Sequence, residues 1–72
     1  MNEPLAVVME KSIRIAFAYL EQTGQIEDPV VASRFLSTRV EDMIRRGERR
    51  QLLLSNRAIT AFEQMKSEAR AA

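Results

Sequence analysis

The amino-acid sequence predicts an all-α fold, a small three-helix antiparallel bundle or an orthogonal helical array. Three observations predict it. The two glycines and two prolines among 72 residues fall where helix boundaries are expected. Between them, apolar residues recur with a helical period. No segment alternates with the period of two that a half-buried strand requires, and no internal repeat or linker is visible, so residues 1–72 read as one domain.

The first helix is expected over about residues 4–23, with Asn2 as N-cap, Pro4 in the first turn and Gly24 taking the left-handed C-terminal position. Leu5, Val8, Met9, Ile13, Ile15, Ala16, Phe17, Tyr19 and Leu20 span an apolar arc of roughly 200°, wider than one packing stripe. Glu10, Lys11, Arg14, Glu21 and Gln22 fill the remainder. A helix this apolar must bury two sides, which places it centrally or at a subunit interface. Tyr19 is expected to lay its ring on the core with its hydroxyl in water.

Gln25, Ile26 and Glu27 make a short connection, and Asp28-Pro29 is a strong helix start: the carboxylate caps free amides and proline needs no donor at the first helical position. The second helix is expected over about residues 29–46, closed by Gly47. Its core stripe is Ala32, Leu36, Val40, Met43 and Ile44, while Glu41 with Arg45 and Asp42 with Arg46 make outward i,i+4 pairs in the favourable order. Phe35 lies opposite that stripe among Arg39, Asp42 and Arg46, and with Val31 one turn earlier it forms an exposed apolar spot.

The third helix is expected over about residues 50–68. Leu52 to Leu54 can open it or lie extended before Ser55 as N-cap; a start near Arg50 is the preferred reading. From Leu54 onward Ala58, Ala61, Phe62, Met65 and Ala69 keep the helical period, and the alanine-rich end from Ala69 is expected to fray. Met9, Met43 and Met65 are read as core filling in preference to a ligand pocket.

Composition excludes several function classes. With 46% hydrophobic and 29% charged residues the chain has a globular composition, not a disordered one. It has no cysteine and no histidine, so disulfides, thiol chemistry, ordinary zinc sites and an imidazole base are ruled out. There is no glycine-rich phosphate cradle. An acid–base enzyme would have to use Glu41 or Asp42, which point about 100° apart on a helix and whose i,i+4 arginines explain them as surface ion pairs. No catalytic residue, metal or cofactor is therefore expected, and the chain is read as a non-enzyme. The apolar run Leu5 to Met9 is too short for a signal-peptide core or a membrane span and no basic leader precedes it, so the cytoplasm is the expected location and a membrane is not an expected partner.

At this length a lone hydrophobic core is barely sufficient, and with disulfides and zinc excluded, oligomerisation is the remaining common support. The leading expectation is a helical protein–protein interaction module that binds a second copy of itself, as a dimer first, through helix one and the Phe35 side of helix two. Val8, Ile15, Tyr19, Val31 and Phe35 are the candidate partner-binding residues. On that reading Phe35→Glu weakens self-association and leaves helicity intact.

Charge supplies the alternative. The net charge is only +1, but residues 1–28 carry five acids against two bases, giving −3, and residues 29–72 carry nine bases against five acids, giving +4. Arg45-Arg46-Gly47-Glu48-Arg49-Arg50 sets four guanidinium groups within six residues, flanked by Arg39 and Arg57. Such a cluster can bind phosphates with counterion release. It can equally offset a helix C-terminus or meet the acids of helix one or of another subunit, and the small net charge favours that second reading. Arg39, Arg45, Arg46, Arg49 and Arg50 are the candidate nucleic-acid contacts.

Within the stretch Pro29 to Glu48, the end from Val40 through Met43-Ile44-Arg45-Arg46-Gly47-Glu48 resembles the recognition helix of excisionase-type winged helix-turn-helix domains. The resemblance covers about twenty residues and implies that Thr38, Arg39 and Asp42 face a major groove while Arg45, Arg46 and Arg49 contact phosphates. The sequence departs from that pattern in three places. The Ala32 side is one residue short, the turn lacks its glycine, and Leu52 to Met65 reads as helix where that family has a wing of strands.

Overall fold

A computed structural model describes residues 4–71. Helix α1 spans Leu5–Gln22, α2 spans Pro29–Arg45 and α3 spans Gln51–Ala71, and no strand occurs among the described residues. The three helices pack against one another as a small all-α bundle, α2 running back along α1 and α3 back along α2.

Local chemistry sets the boundaries. Pro4 stands at the N-cap of α1 with extended backbone and no side-chain cap, so the helix begins at Leu5 and not at the proline. The expected cap Asn2 lies outside the described residues. At the other end Gly24 has φ +72° and its amide donates to the Glu21 carbonyl, while the Gln25 amide donates to that of Leu20. Asp28 caps α2 as expected: its carboxylate accepts the amides of Val30 at 3.0 Å and Val31 at 3.3 Å. Gly47, with φ +105°, closes the same helix. Leu52 to Leu54 are helical, with the Leu54 amide donating to the Arg50 carbonyl at 2.9 Å, which rejects the Ser55 cap. Fraying from Ala69 was the expectation; the helix instead continues to Ala71.

Each helix contributes an i,i+4 stripe to one core. Val8, Ala16 and Leu20 come from α1, Ala32, Leu36 and Val40 from α2, and Leu54, Ala58 and Phe62 from α3. Met9, Met43 and Met65 pack against its edges, in keeping with the core-filling reading. Two serines complete the stripes. Ser12 and Ser55 are fully buried, and their hydroxyls donate to the carbonyls of Val8 at 2.8 Å and Leu52 at 3.0 Å, so neither is left unsatisfied. Small side chains at Ser12, Ala16, Ser55 and Ala58 let the helix backbones approach closely.

Two sequence expectations are corrected here. Val8, expected at a partner surface, is buried in the core, because it starts the stripe that continues through Ser12, Ala16 and Leu20. Phe35, expected as an exposed spot, is half-buried: its ring meets that of Phe62 edge-on at 5.6 Å and 77°. The reason is that α2 touches a helix on each side, so its buried arc extends beyond the Ala32-Leu36-Val40 stripe to the residues that face α3.

Candidate functional site

The wide apolar arc of α1 is only partly consumed by the core. Ile15 and Phe17 lie about 160° apart around the helix, on opposite flanks of the buried stripe. Phe17 and Ile13 turn toward α2, where they line an open groove of about 930 Å³. Ile15 and Tyr19 turn the other way and remain exposed. Val31 is exposed as well, but it lines a separate hollow between α2 and α3 with Phe62 and Met65. Of the five expected partner-binding residues, then, two are engaged within the chain and three are exposed, and those three do not share one face.

The α1–α2 groove gathers residues that the sequence had not brought together. Its floor is Ile13, Phe17 and Ala18 from α1, with Val30 from the first turn of α2. Val30 is 64% exposed, because Pro29 and Val30 precede the point where α2 begins its core stripe. The signal was legible: two adjacent valines open α2, both outside the Ala32-Leu36-Val40 repeat. What linear reading could not supply was the side of α1 that Val30 faces.

The groove's rim carries both signs of charge. Glu10 is paired with Arg14 one turn on, along the α1 edge. Glu21, also on α1, and Arg34, on α2, line the same groove and form no ion pair among the described residues. An apolar centre is thus bordered by an unpaired acid on one helix and an unpaired base on the other.

The arginine cluster resolves into local partnerships. Arg45 pairs with Glu41 at 3.2 Å and Arg46 with Asp42 at 3.3 Å, the two pairs expected from their spacing. Arg50 pairs with Glu48 at 3.1 Å. Arg49 donates to the carbonyls of Ile44 at 2.6 Å and Glu48 at 3.0 Å, closing the C-terminus of α2. Arg39 places its guanidinium 5.7 Å from the centroid of the Phe35 ring. None of these arginines reaches the acids of α1. The negative N-terminal segment and the positive remainder meet elsewhere, where Lys66 pairs with Glu27 at 3.3 Å and donates to the Gln25 carbonyl at 2.6 Å.

Glu48 is the pivot of the α2–α3 turn. Its carboxylate accepts the Arg50 guanidinium and the backbone amides of Arg50 and Arg49. The Arg50 side-chain hydrogen bond, then the Arg50 amide, hold its pKa at about 2, below the usual 4.5. The same bond raises the pKa of Arg50.

As the sequence predicts, and unlike a winged domain, α3 is continuous helix from Gln51 to Ala71. Compared with protein-family models, curated proteins and solved structures, the chain matches none. Among the described residues no helix is long and apolar enough to cross a membrane, and no acidic cluster could hold a metal ion.

Proposed function

We propose that this chain is a helical interaction module whose partner is a second copy of itself, docked in the α1–α2 groove. The observation that carries the proposal is the makeup of that groove: Ile13, Phe17 and Val30 at its centre, with Glu21 on one edge and Arg34 on the other, neither in an ion pair among the described residues. A two-fold interface brings the same patch together from both copies, so it must be complementary to itself. An apolar strip flanked by opposite charges satisfies that condition, since Arg34 of each copy meets Glu21 of the other. The aromatic anchor sits in the middle and the charges sit at the rim, the usual distribution of an interface.

Surface area supports the same reading. The chain exposes 5161 Å². A compact monomer of its 8.2 kDa exposes about 4500 Å², so the excess is roughly 600 Å². A specific interface removes about 800 Å² from each partner. Cytoplasmic residence is carried as part of the same proposal.

Charge exchange tests the pairing. Arg34→Glu and Glu21→Arg, made separately, set like charges opposite one another across the two-fold axis, and each weakens the dimer several-fold. Mixing the two variant chains restores both pairs, so the mixed dimer forms preferentially. Equal self-association of both variants and the parent chain excludes this interface.

A further inference from the structure

The end of the bundle opposite the α1–α2 loop concentrates positive charge, and it does so with guanidinium groups alone. From residue 34 to residue 57 every cation is an arginine. The three carboxylates of this corner, Glu41, Asp42 and Glu48, are each taken by one arginine. Three arginines of this corner have no carboxylate partner among the described residues. Arg49 is held by backbone carbonyls, Arg39 lies on Phe35, and Arg57 forms no ion pair or hydrogen bond among the described residues. Arg57 and Arg46 line one shallow hollow, beside Gly47, on the seam between α2 and α3.

We infer that the α2–α3 corner, with Arg39, Arg46, Arg49 and Arg57, is a surface for the phosphate backbone of a nucleic-acid duplex, read without regard to base sequence. Three features select that partner. Arg39 and Arg46 are seven residues apart on one stripe of α2, about 10.5 Å along its axis, so a single small anion cannot span them and a repeating one can. Guanidinium groups bind phosphate oxygens bidentately, which a lysine surface does not. The Glu41–Arg45 and Asp42–Arg46 pairs are solvent-exposed and therefore weak, so Arg45 and Arg46 exchange carboxylate for phosphate at little cost.

The same surface argues against the nearest rivals. Single-strand binders stack bases on exposed aromatic rings, but Phe35 is half-buried beneath Arg39 and against Phe62. Anionic bilayers take an apolar residue among the bases. Here the exposed Leu52 follows Arg50 by two residues but lies about 140° from Arg57 around α3, so it does not share the Arg57 face. This inference does not depend on the α1–α2 groove, which lies on a different pair of helix flanks.

The test is binding of the full chain to a labelled DNA duplex of arbitrary sequence, followed across salt concentration. The four arginines of the surface predict a log–log slope of about −3.6, a loss of about 150-fold between 50 and 200 mM salt. Arg57→Gln, at an exposed site with no partner, lowers the slope by about 1 and weakens all sequences alike. Gln22→Ala, exposed at the far end of the bundle and outside both surfaces, leaves duplex binding unchanged. Failure to bind duplex at low salt overturns the inference, as does an Arg57→Gln variant that binds as the parent does. Tighter capture by phosphatidylserine vesicles than by duplex, or inorganic phosphate bound at Arg57 as strongly as duplex, also overturns it.

Discussion

The Phe35 and Phe62 rings form a T-shaped pair across the α2–α3 seam, with centroids 5.6 Å apart and planes at 77°. This pair ties a residue that linear reading placed on the surface to one it placed in the core. Phe35→Ala removes the contact and the support beneath Arg39, with an expected cost of about 2 kcal/mol and a fall in Tm of roughly 10 °C. Phe35→Glu costs more, because it also buries part of a charge. Thermal melts followed by circular dichroism check both; a Phe35→Glu variant as stable as the parent contradicts the contact.

Lys66 links α3 to the α1–α2 loop, forty-one residues away in the chain. Its side chain is only 18% exposed, its ammonium donates to the Gln25 carbonyl, and it lies 5.9 Å from the Phe62 ring centroid. Its partner Glu27 is 83% exposed. The carbonyl bond, not the ion pair, therefore carries the energy. Lys66→Met is expected to cost about 1.5 kcal/mol, and Glu27→Gln less than about 0.5 kcal/mol. Chemical denaturation separates the two, and equal effects contradict this division.

The Glu48 turn sets an acid response. Because the folded pKa of Glu48 lies at about 2 and the usual value is 4.5, its contribution to stability is fully present above 4.5. It is lost as pH falls through about 2. Nuclear magnetic resonance titration of the Glu48 carboxyl is expected to show a midpoint near 2 in the parent chain and a rise toward 4.5 in Arg50→Gln. A parent midpoint at 4.5 contradicts the hydrogen-bond assignment.

Gly47 holds a backbone conformation that a side chain resists, with φ +105° and open space where a Cβ would stand. Gly47→Ala therefore meets no clash, and its cost is backbone strain alone, about 1–2 kcal/mol. An unchanged unfolding midpoint contradicts that strain.

The fold was legible because its signals are local. Asp28-Pro29, Gly24 and Gly47 act through amides within a few residues, and the predicted helix boundaries fall within one to three residues of those observed. The ion pairs of Arg45 and Arg46 follow from the same short range. The interaction surface was not legible to the same degree. Val8 and Ile15 are equally apolar in sequence, and only the position of α3 decides that one is buried and the other exposed. Phe35 was misplaced for the same reason, since the helix that covers it lies about thirty residues further on. Ser12 and Ser55 were missed because hydropathy scores them as polar, although each occupies a step of an i,i+4 core stripe and satisfies its hydroxyl on its own helix.

Sedimentation of the parent chain beside Val30→Glu tests the central claim most directly. Val30 is exposed and stands in the first turn of α2, where a glutamate favours the helix, so the variant keeps its fold and loses only the groove's apolar edge. The parent is expected to approach twice 8.2 kDa as concentration rises, while Val30→Glu stays at 8.2 kDa. A parent chain that remains at 8.2 kDa at every concentration, or a variant that associates equally well, contradicts the account.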